Sequence, residues 1–388
     1  MGENILIVHG GGPTAVINAS LYGAVTEAKK HPELDHIYAA KNGTGGLLRE
    51  EFLELSEIRQ EELTLLLQTP GSAIGTSRDQ LEQEEYDRMA DILKKKNIRY
   101  VLFNGGNGTM DTCGKLYQTC QRRGFDVCVM GIPKTMDNDI AITDHSPGFG
   151  SAARYIAQSV KEVCADVRGL PIHVVVIEAS GRNAGWITAA SALADDGDGN
   201  GPDLIYLPER PFDEDRYIED VKRLLEKKSG IVVVASEGLR DAEGKPVVPP
   251  VFQVGRATYF GDVSAHLANL VIKRLGYKAR GEKPGLLGRA SVTMQSAVDR
   301  EEAVLAGVMA CAEVLKGTNG KMVAFRRIST EPYRAEPFLV DIDEVMMYER
   351  TMPDEYINEA GNGVTEAFKE WCRPLIGGEL PKMTAWNQ

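Results

Sequence analysis

An α/β fold built on parallel sheets is what this sequence predicts, and three observations lead there. Short runs of aliphatic and β-branched residues alternate with amphipathic segments, the rhythm of sheets covered by helices on both faces. A chain of 388 residues has room for two or three domains and a sizeable core. Glycine is in excess, 40 residues where an ordinary chain carries about 7%. It clusters as Gly10-Gly11-Gly12, Gly45-Gly46 and Gly105-Gly106-Asn107-Gly108, the distribution of turns and ligand loops rather than of linkers.

The elements follow in order. Ile5–Val8 reads as a buried strand and about 18–30 as a helix, with a second strand over Ile37–Ala40. In Glu82–Lys96, Tyr86, Met89, Ala90 and Leu93 recur at i, i+3, i+4 and i+7, one helix face. Arg99–Phe103 predicts a strand, Thr109–Arg123 a helix that Thr109 would cap, and Asp126–Met130 a strand. Helices are expected near 150–167, at Ala184–Ala194, Asp213–Lys227, Thr258–Leu275 and Arg300–Lys316, and Glu355–Trp371 reads as a closing helix. Strands are expected at His173–Ile177, Ile231–Ala235 and Met322–Phe325. In sheets of this kind ligands sit beyond the carboxyl ends of strands, so post-strand loops are where chemistry belongs.

Composition excludes several classes. Lys+Arg 44 against Asp+Glu 56 gives a net charge of −12, which disfavours a nucleic-acid surface. Lys94-Lys95-Lys96 closes a helical pattern, where cations suit the dipole. No apolar run approaches the roughly 18 residues that span a bilayer, so no membrane partner is expected. Met1-Gly2 is not a myristoylation start, because Leu6 stands where Ser or Thr is required. Cys113, Cys120, Cys128, Cys164, Cys311 and Cys372 form no Cys-x-x-Cys pair and read as reduced, buried thiols of a cytoplasmic protein. The polar stretch 195–202 lacks the terminal Glu of a calcium loop and reads as a surface loop.

Three motifs carry chemistry. Gly10-Gly11-Gly12-Pro13-Thr14-Ala15 follows the first strand, but the second strand ends in Lys41-Asn42 rather than the acid a dinucleotide site needs. No Gly-x-x-x-x-Gly-Lys-[Ser/Thr] occurs either, so what remains is a glycine turn whose amides hold an anion at a helix start. Asn104-Gly105-Gly106-Asn107-Gly108-Thr109 repeats that design after another strand and allows a phosphate chain to approach the backbone. Pro133-Lys134-Thr135-Met136-Asp137-Asn138-Asp139 brackets one residue between two carboxylates beside a lysine. Phosphoryl transfer needs such a carboxylate to take a hydroxyl proton, and cations to neutralise the transferring oxygens.

With Pro147-Gly148-Phe149-Gly150-Ser151-Ala152 and Glu178-Ala179-Ser180-Gly181-Arg182-Asn183-Ala184-Gly185, these motifs resemble the phosphofructokinase family over roughly residues 4–330. The likeness is strongest to its short bacterial branch, which contains pyrophosphate-dependent enzymes. The resemblance implies two Rossmann-like three-layer domains with mostly parallel sheets and an active site in the cleft between them. The phosphoryl-donor domain would comprise 1–148 and about 293–341, and the sugar-phosphate domain 149–292 with the segment 342–388. Roles carry over by position. Asp137 matches the catalytic base, with Thr135 and Asp139 supporting it at the sugar phosphate. Gly12, Gly105, Gly106, Asn107, Gly108 and Thr109 fall on the donor loops, and Arg78 matches the arginine that bridges donor and product. Lys134 matches a lysine that grips pyrophosphate. Ser180, Gly181 and Arg182 form the sugar turn, and Glu237 matches the glutamate on sugar hydroxyls. Arg280 and Arg289 match two arginines of the 6-phosphate site, the first reaching in from a neighbouring subunit of a homodimer or homotetramer.

The departures bear on affinity. Asn107 stands where the family commonly has a magnesium-holding Asp, leaving Asp137 and the donor phosphates as Mg2+ ligands. His173 and Leu286 replace an Arg and a His of the phosphate site, with Lys283 as compensation, and Ser180 replaces a Met. Two positions disagree on the donor: Gly108 leaves room for a nucleotide where pyrophosphate enzymes place Asp, whereas Lys134 is the pyrophosphate residue. The steric argument leans to ATP, with pyrophosphate as the alternative. The expected reaction is phosphorylation of O1 of fructose 6-phosphate. Sedoheptulose 7-phosphate as acceptor and a non-catalytic sugar-phosphate sensor are the competing readings.

Overall fold

The structure is a computed structural model that describes residues 3–170, 172–197, 199–254 and 257–384. Met1-Gly2 and Asp198 of the polar loop, on which two of the sequence readings fall, lie outside the described residues. In chain order the first elements are β1 (Glu3–His9), α1 (Ile17–Ala28), β2 (Leu34–Ala40), α2 (Gly43–Leu48), β3 (Phe52–Glu54), α3 (Gln60–Leu65), α4 (Gln83–Lys95), β4 (Ile98–Gly105), α5 (Asn107–Arg122) and β5 (Cys128–Pro133). Then come α6 (Phe149–Gly169), β6 (Val174–Ala179), α7 (Trp186–Ala190), β7 (Leu204–Tyr206), α8 (Glu214–Leu225), β8 (Ile231–Ser236), β9 (Pro250–Val254), β10 (Ala257–Phe260) and α9 (Val263–Leu275). The chain ends with β11 (Ala279–Glu282), α10 (Leu287–Ala290), α11 (Ala297–Leu315), β12 (Lys321–Thr330), β13 (Tyr333–Asp341), α12 (Ile342–Val345) and α13 (Glu366–Cys372).

Two compact units result, Met1–Ser151 with Arg289–Arg350 and Ala152–Gly288 with Thr351–Gln388. The first holds a sheet in the order β13-β12-β5-β4-β1-β2-β3, parallel from β12 to β2 and antiparallel at both edges. Side chains alternate across a strand, so Ile5 and Ile7 pack with α1 and α11 on one face while Leu6 and Val8 pack with α4 and α5 on the other. The strand order reverses at β1: the chain moves to β2 on one side and to β4 on the other. The loops leaving β1 and β4 therefore meet at the switch point, where open α/β sheets bind ligands. The second unit holds the parallel sheet β11-β6-β8-β7 with α8 and α9 against Val174, Val176 and Val233, and the hairpin β9–β10.

The structure departs from the sequence reading in places. The first unit continues to Ser151, resumes at Arg289 and ends at Arg350, against the expected bounds of 148, about 293 and 341. The extra tail belongs there because α12 places Ile342 and Val345 in the α4–α5 core and Arg350 bonds the Asp144 carbonyl. The helix expected from Thr258 begins only at Val263, since Gly261-Asp262 breaks the pattern and 257–260 form β10. The closing helix shrinks to Glu366–Cys372, because the chain turns at 358–363 with Gly361 at φ 70°. Among the described residues no helix is long and apolar enough to cross a membrane.

Candidate active site

The donor loops explain their glycines by close approach. A methyl group on Gly10 or Gly105 would lie 2.3 or 2.1 Å from the Thr109 Oγ1, far inside contact distance. Thr109 thus packs the two loops together; α5 starts at Asn107 with Gly106 before it, so Thr109 does not cap the helix as expected. Gly11, at φ 75°, takes a backbone shape that other residues rarely adopt, and the Thr76 hydroxyl holds its carbonyl at 2.7 Å. Gly108 is different, because a methyl group there would meet nothing within 4 Å.

Cations converge on Gly12. The Lys134 Nζ donates to its carbonyl at 2.6 Å, and a methyl group on Gly12 would meet the Arg289 Nη1 at 2.8 Å and the Arg78 Nη2 at 3.2 Å. Lys134 is 2% exposed, and burial brings its ammonium down to about 8, with Asp137 opposing the fall and Arg78 adding to it. Burial, and then Arg78, also lowers Arg289. Arg280 lies on β11 of the second unit and pairs with Glu282 at 2.7 Å.

The loop after β5 carries the carboxylates. The Lys134 and Thr135 amides donate to the Gly105 and Pro147 carbonyls, anchoring its start, and the Asp137 amide donates to the Thr135 hydroxyl at 3.1 Å. Asn138 is fully buried at φ 55°, a left-handed shape that Asn tolerates, and its Oδ1 accepts the Ser146 amide at 2.9 Å. Burial raises Asp139, whose carbonyl accepts from the Asn107 Nδ2 at 3.0 Å. The Asn107 Oδ1 is buried without a hydrogen-bond partner.

Behind this loop lies a charged network that sequence reasoning missed. His145 bonds Asp144 at 2.8 Å and Glu302 of α11 at 2.6 Å, and Glu302 also accepts the Tyr333 hydroxyl at 2.7 Å. Burial works against the imidazolium, but Glu302 and Asp144 prevail and hold His145 at about 9. Asp299 accepts the Gly148 and Ser151 amides, and burial raises it to about 6. The one available signal was the run Thr143-Asp144-His145-Ser146, polar residues beside a catalytic motif.

In the second unit Glu237 accepts the Gly181 amide at 3.2 Å, and the Ser236 hydroxyl donates to the Gly181 carbonyl at 2.6 Å. Gly181 sits at φ 117°, and a methyl on Gly238 would lie 1.7 Å from the Arg182 carbonyl, so this turn admits no larger residue at either position. Ser180 precedes that turn at the end of β6. Lys283 lies 2.7 Å from both Glu178 and Asp262; desolvation opposes its charge, but these carboxylates raise its pKa. Leu286 is 66% exposed, and the His173 ring packs on Tyr277.

The Phosphofructokinase family matches residues 4–314. A pyrophosphate--fructose 6-phosphate 1-phosphotransferase of Xanthomonas campestris is 38% identical over 97% of this chain and 92% of its own. A sulfofructose kinase of Alkalicoccus urumqiensis is 33% identical over 99% of this chain and 98% of its own. The crystal structure of a pyrophosphate-dependent phosphofructokinase from Nitrosospira multiformis superposes with a TM-score of 0.90 at 34% identity, covering 99% of this chain and 94% of that one.

Proposed function

Since the chain belongs to the phosphofructokinase family and is a phosphotransferase with an alcohol acceptor, we propose that pyrophosphate is its donor and O1 of fructose 6-phosphate its acceptor. The observation that carries the donor is Lys134, a buried ammonium fixed to the Gly12 carbonyl beside Arg78, which suits a compact, highly charged phosphate chain. This replaces the sequence lean to ATP, which rested on space at Gly108; that space is real, but nothing in it selects an adenosine. Asp137 takes the proton from O1 as the oxygen attacks in line, and Arg78, Lys134 and the loop amides of Gly12 and Gly106 stabilise the transferring oxygens.

The residues fit Mg2+ held mainly through donor phosphates: Asp137 supplies one carboxylate and the orphaned Asn107 Oδ1 a neutral oxygen, a ligand set usual for an ion that keeps substrate and water oxygens. Bound there, it would neutralise charge on the phosphates. Gly181, Arg182 and Glu237 would hold the sugar hydroxyls. We read Arg280 as the residue a second subunit contributes to the sugar phosphate, supported by a pocket of about 330 Å³ beside it lined by Tyr155, Val163, Ile177 and Leu287.

One observation favours a second reading of the acceptor. Arg280 and Lys283 are already paired with carboxylates, and Leu286 and His173 add no fixed charge, so the tail site offers little surplus for a phosphate dianion. A sugar ending in a singly charged sulfonate, of the kind the Alkalicoccus relative's name implies, needs less. Parallel turnover assays with pyrophosphate and ATP, each with fructose 6-phosphate and its 6-sulfonate analogue, decide both questions. Pyrophosphate with fructose 6-phosphate should give the highest kcat/KM, and ATP-only turnover refutes the donor.

A further inference from the structure

The turn that follows β6 is pinned at both ends by carboxylates. Glu237, after β8, accepts the Gly181 amide at 3.2 Å. Glu209, after β7, accepts the Gly185 amide at 2.8 Å, and the same Oε1 accepts the Met352 amide at 3.1 Å. Burial raises the Glu209 pKa, and these two amides work against that rise by holding the charged form. The Glu209 Oε2 is shut off from solvent without a hydrogen-bond partner, and a methyl group on Gly185 would lie 2.6 Å from it. Glu209 thus faces the backbone of the turn and not a ligand. With glycine at both ends and Gly181 at φ 117°, the turn would change shape easily if nothing held it.

The second amide on Glu209 comes from the C-terminal segment. Met352 opens that segment, and Tyr356, Phe368 and Trp371 pack on Trp186, the fully buried neighbour of Gly185, with ring centroids 6.0, 6.4 and 4.9 Å from its own. Asn362 fixes the segment further, its carbonyl accepting the Ile205 amide of β7 at 3.0 Å and its Nδ2 donating to buried Asp220 of α8 at 2.8 Å. All of these residues belong to the second unit. We infer that Glu209 is a positioning residue for the acceptor sugar, tying the turn 181–185 to the C-terminal segment, which is the backing on which that turn keeps its shape. The inference rests on the reading of Gly181, Arg182 and Glu237 as the sugar site and deepens it. The leverage is large, because a displacement of about 1 Å in a group that holds substrate can cost about 10²-fold in rate.

The test compares wild type, Glu209→Ala, Glu209→Gln and Trp371→Leu by calorimetric binding of fructose 6-phosphate and, separately, of magnesium pyrophosphate, with kcat, each KM and a thermal melt. Loss of the acceptor for two amides should weaken sugar binding by about tenfold or more in Glu209→Ala, with pyrophosphate affinity within about twofold. Glu209→Gln keeps one oxygen for both amides and should recover part of the loss. Trp371→Leu loosens the packing behind Trp186 without touching the turn's hydrogen bonds, and should weaken sugar binding severalfold with the same split. These two variants decide the question if Glu209→Ala does not fold. A merely structural role would lower Tm and the active fraction with both affinities unchanged, and that result overturns the inference. A loss shared equally by both substrates overturns it as well. A wild type that binds the 6-sulfonate analogue and not fructose 6-phosphate refutes the acceptor reading alone, and the same variants then test the inference with that sugar.

Discussion

Pyrophosphate binding should carry a proton onto Lys134, and the amount follows from the geometry. In the free protein this ammonium is buried beside Arg78 and Arg289 and sits at about 8. Its native state therefore binds fewer protons than an ordinary lysine between pH 8 and about 10.5. Below pH 8 the charged form is retained at a cost of about 3 kcal/mol, from the shift and 1.36 kcal/mol per pH unit. An anion seated on Nζ removes that cost and returns the group to full charge. The proton taken up per bound pyrophosphate by this residue is then about 0.1 at pH 7, about 0.5 at pH 8 and about 0.9 at pH 9. Above pH 8 affinity falls by up to tenfold per unit. Calorimetry in buffers of different ionisation enthalpy measures the uptake, and Lys134→Arg, charged throughout, subtracts the ligand's own ionisation. Equal uptake by wild type and Lys134→Arg at pH 8 and 9 would show that Lys134 does not meet the anion, and the account of the donor site would fail with it.

Asp137→Asn should lower kcat by about 10²- to 10⁴-fold with sugar binding retained, measured by turnover and by calorimetry; near-normal kcat removes Asp137 from the role of base. The Cβ of Gly108→Asp would meet nothing within 4 Å, so the fold should keep its Tm, and any use of ATP should drop far more than use of pyrophosphate. Gly105→Ala drives a methyl into Thr109 and should destabilise by about 1–3 kcal/mol in a thermal melt, where Gly108→Ala costs well under that. The His145 pKa is raised from 6.5 to about 9, so its contribution is fully present below pH 6.5 and lost as pH rises through 9. Denaturant unfolding of wild type and His145→Gln should therefore differ by about 3 kcal/mol at pH 6 and by much less at pH 10; a gap that does not change with pH refutes a charged His145.

Much of the donor unit was legible because its signals are local. The unbroken apolar run Ile5–Val8 marks a strand buried on both faces, and Gly10, Gly11 and Gly105 are demanded by contacts with Thr109 and by a positive φ at Gly11. The Asp137-Asn138-Asp139 loop could be found for the same reason: Asn138 tolerates the left-handed turn and also holds Ser146, so one residue encodes shape and anchor. What escaped were partners far along the chain. Glu302 meets His145 across 157 positions, and β13 pairs with β12 through a hairpin whose outward residues lack a clean apolar pattern.

Arg289 shows how much of a residue's setting lies outside its local sequence. Nine residues separate it from Arg280, and the chain passes from the second unit back to the first between Gly288 and Arg289. A residue at such a crossing takes its neighbours from the unit it enters, and Arg289 enters beside Gly12 and Arg78. No residue in that interval marks the crossing, because it is set by where each hydrophobic core draws its members, far along the chain.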